Sequence, residues 1–448
     1  MSQRLSQKFR DIFTSDHLEK KAKESGFIQR RSRLTAKMFF DTLLFKEMDN
    51  SLVSLNDHSI DLKIKYDVQI CKQSLAERFN ERSVCFVKAL VEEQLKNQIC
   101  SRIDIKPLKR FSSVKIKDST RFQLPVEYKE AFPANGGDAS ESGLHIQFEF
   151  DLTNGKISDL TVTDALKQDN SNARITACQV EPGSLLLRDL GYFSLDAFQQ
   201  FDQRSAYFIS RLMPRIKLYQ LRNGIHEVIQ LEKLHQKMKR FNIPYQEMEV
   251  YLGDQYKIPV RLFIEQLPEQ QVHQRLKQAK RTCVRKSRTL SRQYKVAAAL
   301  NLFVTNVPKQ WLPIEYIRDL YRLRWQIELR FKVWKSLGKL HLTKTINRFR
   351  FETYLYANLL LLLINWEIAA NISSFLWLTK RKILSVFKYY KTAFRNTALL
   401  REVLVDSKKL LWYLNAIYEM CHRNLIAEKR VGKLSQEEIF LLSFKNSR

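Results

Sequence analysis

Several familiar chemistries are ruled out by what this sequence does not contain. Its 11 glycines form no phosphate-cradling loop, and its six cysteines, Cys71, Cys85, Cys100, Cys178, Cys283 and Cys421, form no CxxC pair and no short metal spacing. P-loop nucleotide sites and zinc ribbons are therefore excluded, and the cysteines read as reduced thiols of a cytoplasmic protein. Histidines do not cluster, His341 and His422 standing singly, and no internal repeat occurs. Proline is missing before Pro107, so little interrupts helices in the first hundred residues. The opening MSQRLSQKFRDIF lacks the apolar run of a signal peptide. Long apolar runs are scarce as well. Residues 354–366, YLYANLLLLLINW, are bracketed by Glu352 and Glu367, a window short of the ~20 residues a membrane span needs. A buried helix is expected there, and no membrane partner.

The other shortage is of acid. Against 76 Lys and Arg stand 47 Asp and Glu, a formal net charge of +29 over 448 residues. That surplus points to a polyanionic partner, with nucleic acid favoured over a membrane surface. It is concentrated between Gln270 and Ile314, where no acidic residue occurs and ten residues are basic, among them Arg281, Arg285, Lys286 and Arg288. A basic run without counter-charges fits a phosphate track better than a solvated face.

Where acids do occur, three stand in suggestive places. SSVKIKDST alternates Val114 and Ile116 on one face of a strand and delivers Asp118 at its end. Two further strands, residues 144–151 and 156–164, flank a turn at Thr153, Asn154 and Gly155. Ser184–Leu187 reads as a short strand buried on both faces, with Asp189 at its C-terminal end and Gly191 and Tyr192 turning into the next helix. Residues 206–212 give another strand, and NLFVTNVP the last one before YRLRWQIELRFKVWK, residues 321–335. On one continuous helix, Tyr321, Arg324, Glu328 and Lys335 would share a wedge of roughly 60°.

Taken together, the blocks Asp118-Ser119-Thr120 and Asp189-Leu190-Gly191-Tyr192 and the spacing of Tyr321, Arg324, Glu328 and Lys335 resemble the insertion-sequence-4 family of DDE transposases, over roughly residues 110–340. The resemblance implies an α/β architecture: a ribonuclease-H-like catalytic core at 106–212 and 300–345, interrupted by a mainly β insertion at 213–299, with helical regions at 1–105 and 346–448. It implies that Asp118, Asp189 and Glu328 are catalytic and hold two Mg²⁺ ions about 4 Å apart, with Mn²⁺ as a substitute and Asp118 bridging both. Tyr321, Arg324 and Lys335 would act on DNA. The partners implied are double-stranded DNA with terminal inverted repeats and target DNA, handled by a homodimer in the synaptic complex, with the C-terminal helices at the subunit contact. The reaction implied is cut-and-paste transposition in a bacterial cytoplasm, through a hairpin in some relatives. Within residues 66–95 a helix-turn-helix would present Lys72, Gln73, Ser74, Arg78 and Asn80 to a groove. Two other readings stay open: an inactive transposase-derived repressor and a structure-selective nuclease of the same fold.

Overall fold

The computed structural model describes residues 2–45, 53–136, 140–285, 287, 289–340, 342, 347–404, 406–428 and 434–442. Helices α1 (Ser2–Phe13), α2 (Ser15–Glu24), α3 (Ala36–Leu44), α4 (Leu55–Tyr66), α5 (Lys72–Glu77) and α6 (Glu81–Lys96) come first. Then follow β1 (Val114–Gln123), β2 (Gly143–Asp151), β3 (Ile157–Asp164), α7 (Asp169–Ala177), β4 (Leu185–Arg188), α8 (Leu195–Gln203) and β5 (Tyr207–Arg211). The next segment contributes β6 (Leu218–Arg222), β7 (Ile225–Val228), α9 (Leu231–Arg240), β8 (Tyr245–Leu252), β9 (Ile258–Gln266), α10 (Glu269–Arg285) and α11 (Arg292–Ala298). Strand β10 (Leu300–Thr305) leads to α12 (Ile317–Arg322), α13 (Trp325–Ser336), α14 (Arg348–Lys380), α15 (Val386–Arg395), α16 (Thr397–Val403), α17 (Ser407–Arg423) and α18 (Gln436–Leu441). The chain forms two compact units, one of Met1–Ile103, Thr120–Leu166 and Gln326–Lys433, the other of Asp104–Ser119, Lys167–Trp325 and Leu434–Arg448.

The first unit is mainly helical and is built on α14, which packs against α3, α6, α15 and α17. Leu359, Leu360, Leu362, Leu363 and Ile364 are buried along it, as a helix apolar on all sides requires. This helix is long and apolar enough to cross a membrane, yet 83% of its most apolar window is covered by protein, in keeping with the expected core helix. The β2–β3 hairpin belongs to the same unit, its Phe148 and Phe150 meeting the Trp366 ring edge-on at 5.3 and 5.0 Å. A short helix, a three-residue turn and a longer helix do follow one another at α5–α6. Of the side chains expected to face a groove, however, Asn80 caps α6 in a reciprocal box with Ser83, and Arg78 donates to Ser32 Oγ at 3.2 Å. α6 itself buries Phe86, Val87 and Leu90.

The second unit is a sheet with helices. Strand β4 pairs parallel with both β1 and β5, and β10 runs antiparallel between β5 and β9. Strand β9 pairs with β8, β8 with β6, and β6 with β7, all antiparallel. Leu186, Phe208, Leu262 and Val304 bring four of these strands into one core with Phe198 of α8. In residues 213–299 the expected strands are present but are joined by helices. HEVIQLEKL, for example, is strand only to Val228, because Leu231, Leu234 and Met238 recur at helical spacing and pack onto the core.

Residues 321–335 are not one helix. α12 ends at Arg322 and α13 begins at Trp325, and between them Leu323 and Arg324 donate three residues back, to the carbonyls of Leu320 and Tyr321. Such bonds wind the chain more tightly than an α-helix and break the angular phase. The single wedge expected of Tyr321, Arg324, Glu328 and Lys335 is thereby corrected: the first two belong to α12 and its terminal turn, the last two to α13.

Candidate active site

The parallel register of β1 and β4 places Lys117 opposite Arg188. The residues that follow, Asp118 and Asp189, therefore leave neighbouring strands side by side. Strand β1 continues beyond Asp118 to Gln123, so this aspartate lies within the strand and not at its end. β4 stops at Arg188, and Asp189 opens a 3-10 turn, its carbonyl accepting from the Tyr192 N–H at 3.0 Å.

Both carboxylates face one cation. Arg324 donates to Asp118 Oδ2 at 2.6 Å, and its second terminal nitrogen lies 3.6 Å from Asp189 Oδ1. The other oxygen of Asp118 accepts from the Ser119 N–H at 2.8 Å. The guanidinium is 13% exposed, Asp118 16% and Asp189 42%, so the second aspartate is the open side of the cluster. Tyr321 sits beneath Arg324, the guanidinium carbon 5.9 Å from its ring centre. Its ring meets Phe303 edge-on, and its hydroxyl donates to the Arg188 carbonyl at 3.1 Å. Burial above all pushes this phenol up to about 12. Its proton is already committed to the strand that carries Asp189, so donation to a phosphate would require that bond to open.

Some contributors are given no part in the site by the sequence, where Gly191 and Tyr192 read only as a turn and part of a sequence block. Tyr192 is buried, its hydroxyl bonded to Ser119, and burial followed by the charges of Asp169 and Asp118 holds its proton on strongly. Gly191 allows a close approach: a Cβ there would stand 3.1 Å from Asp169 Oδ2, so that carboxylate would have to shift by a few tenths of an ångström. Arg211 and Arg275 line a cavity of about 520 Å³ with Gln278, Ser291 and Tyr294. Arg275 is fixed by the Leu300 carbonyl at 3.1 Å and Asn301 Oδ1 at 2.7 Å. These residues come from three separate elements, and no local pattern joins them.

The remaining expected residues are placed as follows. Glu328 lies half-buried in the first turn of α13. Lys335 is exposed on the last turn, its Nζ 5.5 Å from the Phe122 ring centre. Arg281 is exposed on α10, and Arg285 ends that helix. Lys286 and Arg288 lie outside the described residues, as does the side chain of Arg285.

Among the described residues, no three Asp, Glu, His or Cys side chains stand close enough to hold a metal ion as they are. The donor set nevertheless suits one. Two carboxylates converge on the Arg324 guanidinium, and their hard oxygens are the ligands Mg²⁺ prefers.

Comparison with known proteins bears on this geometry. The Transposase DDE domain family matches residues 109–364. The chain is similar to the transposase for insertion sequence element IS231E of Bacillus thuringiensis subsp. finitimus, 29% identical and covering 94% of this chain and 96% of that protein. It is 30% identical to the transposase for IS231F of Bacillus thuringiensis subsp. israelensis, over 92% of this chain and 89% of that one. With the transposase for IS1151 of Clostridium perfringens the identity is 28%, over 86% and 85% of the two chains.

Proposed function

This chain belongs to the DDE transposase family, and we propose on that premise that Asp118, Asp189 and Glu328 are its three metal-binding carboxylates. It is an insertion-sequence transposase with a ribonuclease-H-like core, an enzyme of DNA strand cleavage and strand transfer that uses divalent metal. The observation that carries the assignment is the convergence of Asp118 and Asp189 from adjacent parallel strands onto one cation.

Two Mg²⁺ ions are the metals proposed. Held by Asp118, Asp189 and Glu328, they would supply a lowered pKa for the attacking oxygen and charge relief for the departing one. The protein's own part is to present ligands and to hold DNA. The Ser119 N–H fixes one oxygen of Asp118 and so its rotamer. The 3-10 turn after β4 fixes Asp189, and Tyr321 clamps that strand end through the Arg188 carbonyl. Arg324 and Lys335 are proposed to grip phosphates beside the cut, where a guanidinium makes charge-assisted bonds with phosphate oxygens. The exposed, acid-free basic segment carrying Arg281 is proposed to track the DNA backbone. Terminal inverted repeats and target DNA are the substrates proposed, handled by a homodimer in the bacterial cytoplasm.

The test is a labelled DNA fragment carrying the gene's own flanks, incubated with the protein and Mg²⁺ beside Asp118→Asn and Glu328→Gln. Nicks leaving 3′ hydroxyls at the borders of an inverted repeat, absent with both variants, are expected. Tight binding without cutting by any of the three proteins would refute the assignment. For the basic segment, Arg281→Gln is expected to lower the slope of log affinity against log salt by about 1, equally on specific and scrambled DNA. An unchanged slope would remove Arg281 from the phosphate track.

A further inference from the structure

We propose that Arg324 is a resident counter-cation of the metal site, so that metal uptake without DNA must displace its guanidinium, while DNA draws the guanidinium off and makes room. The inference rests on the reading of Asp118 and Asp189 as metal ligands. It adds a second role for Arg324 and a direction of coupling between metal and DNA.

The geometry has three parts. The oxygens of Asp118 are both engaged, Oδ1 by the Ser119 N–H at 2.8 Å and Oδ2 by Arg324 at 2.6 Å. A divalent ion taking Oδ2 as its ligand competes directly with Arg324. The same guanidinium also reaches Asp189 Oδ1 at 3.6 Å, so one side chain spans the two carboxylates a metal would join. Finally, Arg324 stands in the tight turn between α12 and α13 and beside a fixed neighbour, Tyr321, which is tied to the Arg188 carbonyl. The guanidinium can therefore leave without unpacking the ring beneath it. A phosphate offers it a comparable bidentate partner. Because coupling between two ligands is reciprocal, DNA that captures Arg324 must raise metal affinity by the factor with which metal raises DNA affinity.

The experiment is calorimetric titration of the full chain with Mn²⁺, which reads binding directly and not activity. Wild type, Arg324→Gln, Arg324→Lys and Arg211→Gln are compared with and without a short duplex. Arg211→Gln controls for the loss of one nearby positive charge, since Arg211 lies close enough to Tyr321 to influence its phenol. Without DNA, Arg324→Gln is expected to bind Mn²⁺ about tenfold more tightly than wild type, the scale of one charge-assisted bond no longer competing. Arg324→Lys should fall between them and Arg211→Gln within about twofold of wild type, as for a screened charge. DNA should tighten Mn²⁺ binding more in wild type than in Arg324→Gln. Unchanged or weaker binding by Arg324→Gln, or a gain matched by Arg211→Gln, would overturn the proposal. Asp118→Asn separates the two levels: if it still binds Mn²⁺ like wild type, the metal-site reading itself fails. Melting temperatures confirm that each variant is folded.

Discussion

Glu367 of the helical unit and the pair Asp118 and Asp189 of the sheet unit each meet a basic side chain, and they are finished differently. Glu367 is 3% exposed; Lys8 and Gln94 share one of its oxygens, and the Ile99 N–H donates to the other at 2.6 Å. Asn371 continues the network, donating to the carbonyls of Glu367 and Ile99 at 2.8 and 3.0 Å. Every one of these donors comes from the chain itself, and together they tie α1, α6 and α14. Burial lowers the Lys8 pKa, and the charge of Glu367 opposes that shift. Asp118 and Asp189, by contrast, meet at the Arg324 guanidinium, and Asp189 keeps 42% of its side chain exposed. A carboxylate saturated by the chain serves the fold; the carboxylates proposed as metal ligands keep an open side at Asp189.

Neutralising one acid in each cluster should have opposite effects on activity and stability. Asp118→Asn is expected to reduce strand cleavage on the order of a thousandfold or more, the scale of losing a central catalytic group. Its effect on stability should be about 1–2 kcal/mol, because the carboxamide oxygen can still accept from Arg324 and Asp189 remains beside that guanidinium. Equal loss of structure and activity in this variant, read from thermal melts and the cleavage assay, would contradict the division. Glu367→Ala should reverse the pattern. Leaving Lys8 buried without its partner is expected to cost about 3–5 kcal/mol, seen as a lower urea midpoint. Cleavage per folded molecule, measured below the transition, should match wild type.

The two clusters also differ in how far they could be read from the sequence. Asp118 and Asp189 stood out as candidates because each follows a short apolar strand and because their order with Glu328 resembles a family signature. Their convergence did not, since it depends on the β1–β4 register and on an arginine 206 residues beyond Asp118. Glu367 was visible only as an acid at the edge of an apolar run, its partner Lys8 lying 359 residues away. The break at Leu323 and Arg324 left no mark, for neither proline nor glycine stands there, and the tightened bonds appear only in three dimensions. The helices among the strands of residues 213–299 were masked for a related reason: short segments owe their form to tertiary burial of residues such as Met238.

A smaller effect is expected within the sheet unit. Tyr321 combines both styles, buried like the Glu367 network yet placed against the open cluster. Removing its hydroxyl in Tyr321→Phe leaves the ring against Phe303 and frees the Arg188 carbonyl, a loss of about 0.5–1.5 kcal/mol at neutral pH. The phenol's folded pKa, about 12, lies above its unfolded value near 10. A raised pKa contributes stability that is fully present below pH 10 and is lost as pH rises through 12, because the unfolded chain ionises first. The stability advantage of wild type over Tyr321→Phe should therefore fall between pH 10 and pH 12, by at most about 2 kcal/mol, enough to reverse its sign. Urea midpoints of the two proteins at pH 9 and pH 11.5 measure it. A difference that stays constant would mean the phenol is less buried than its packing implies, and that Tyr321 belongs with the exchangeable side chains around Asp189.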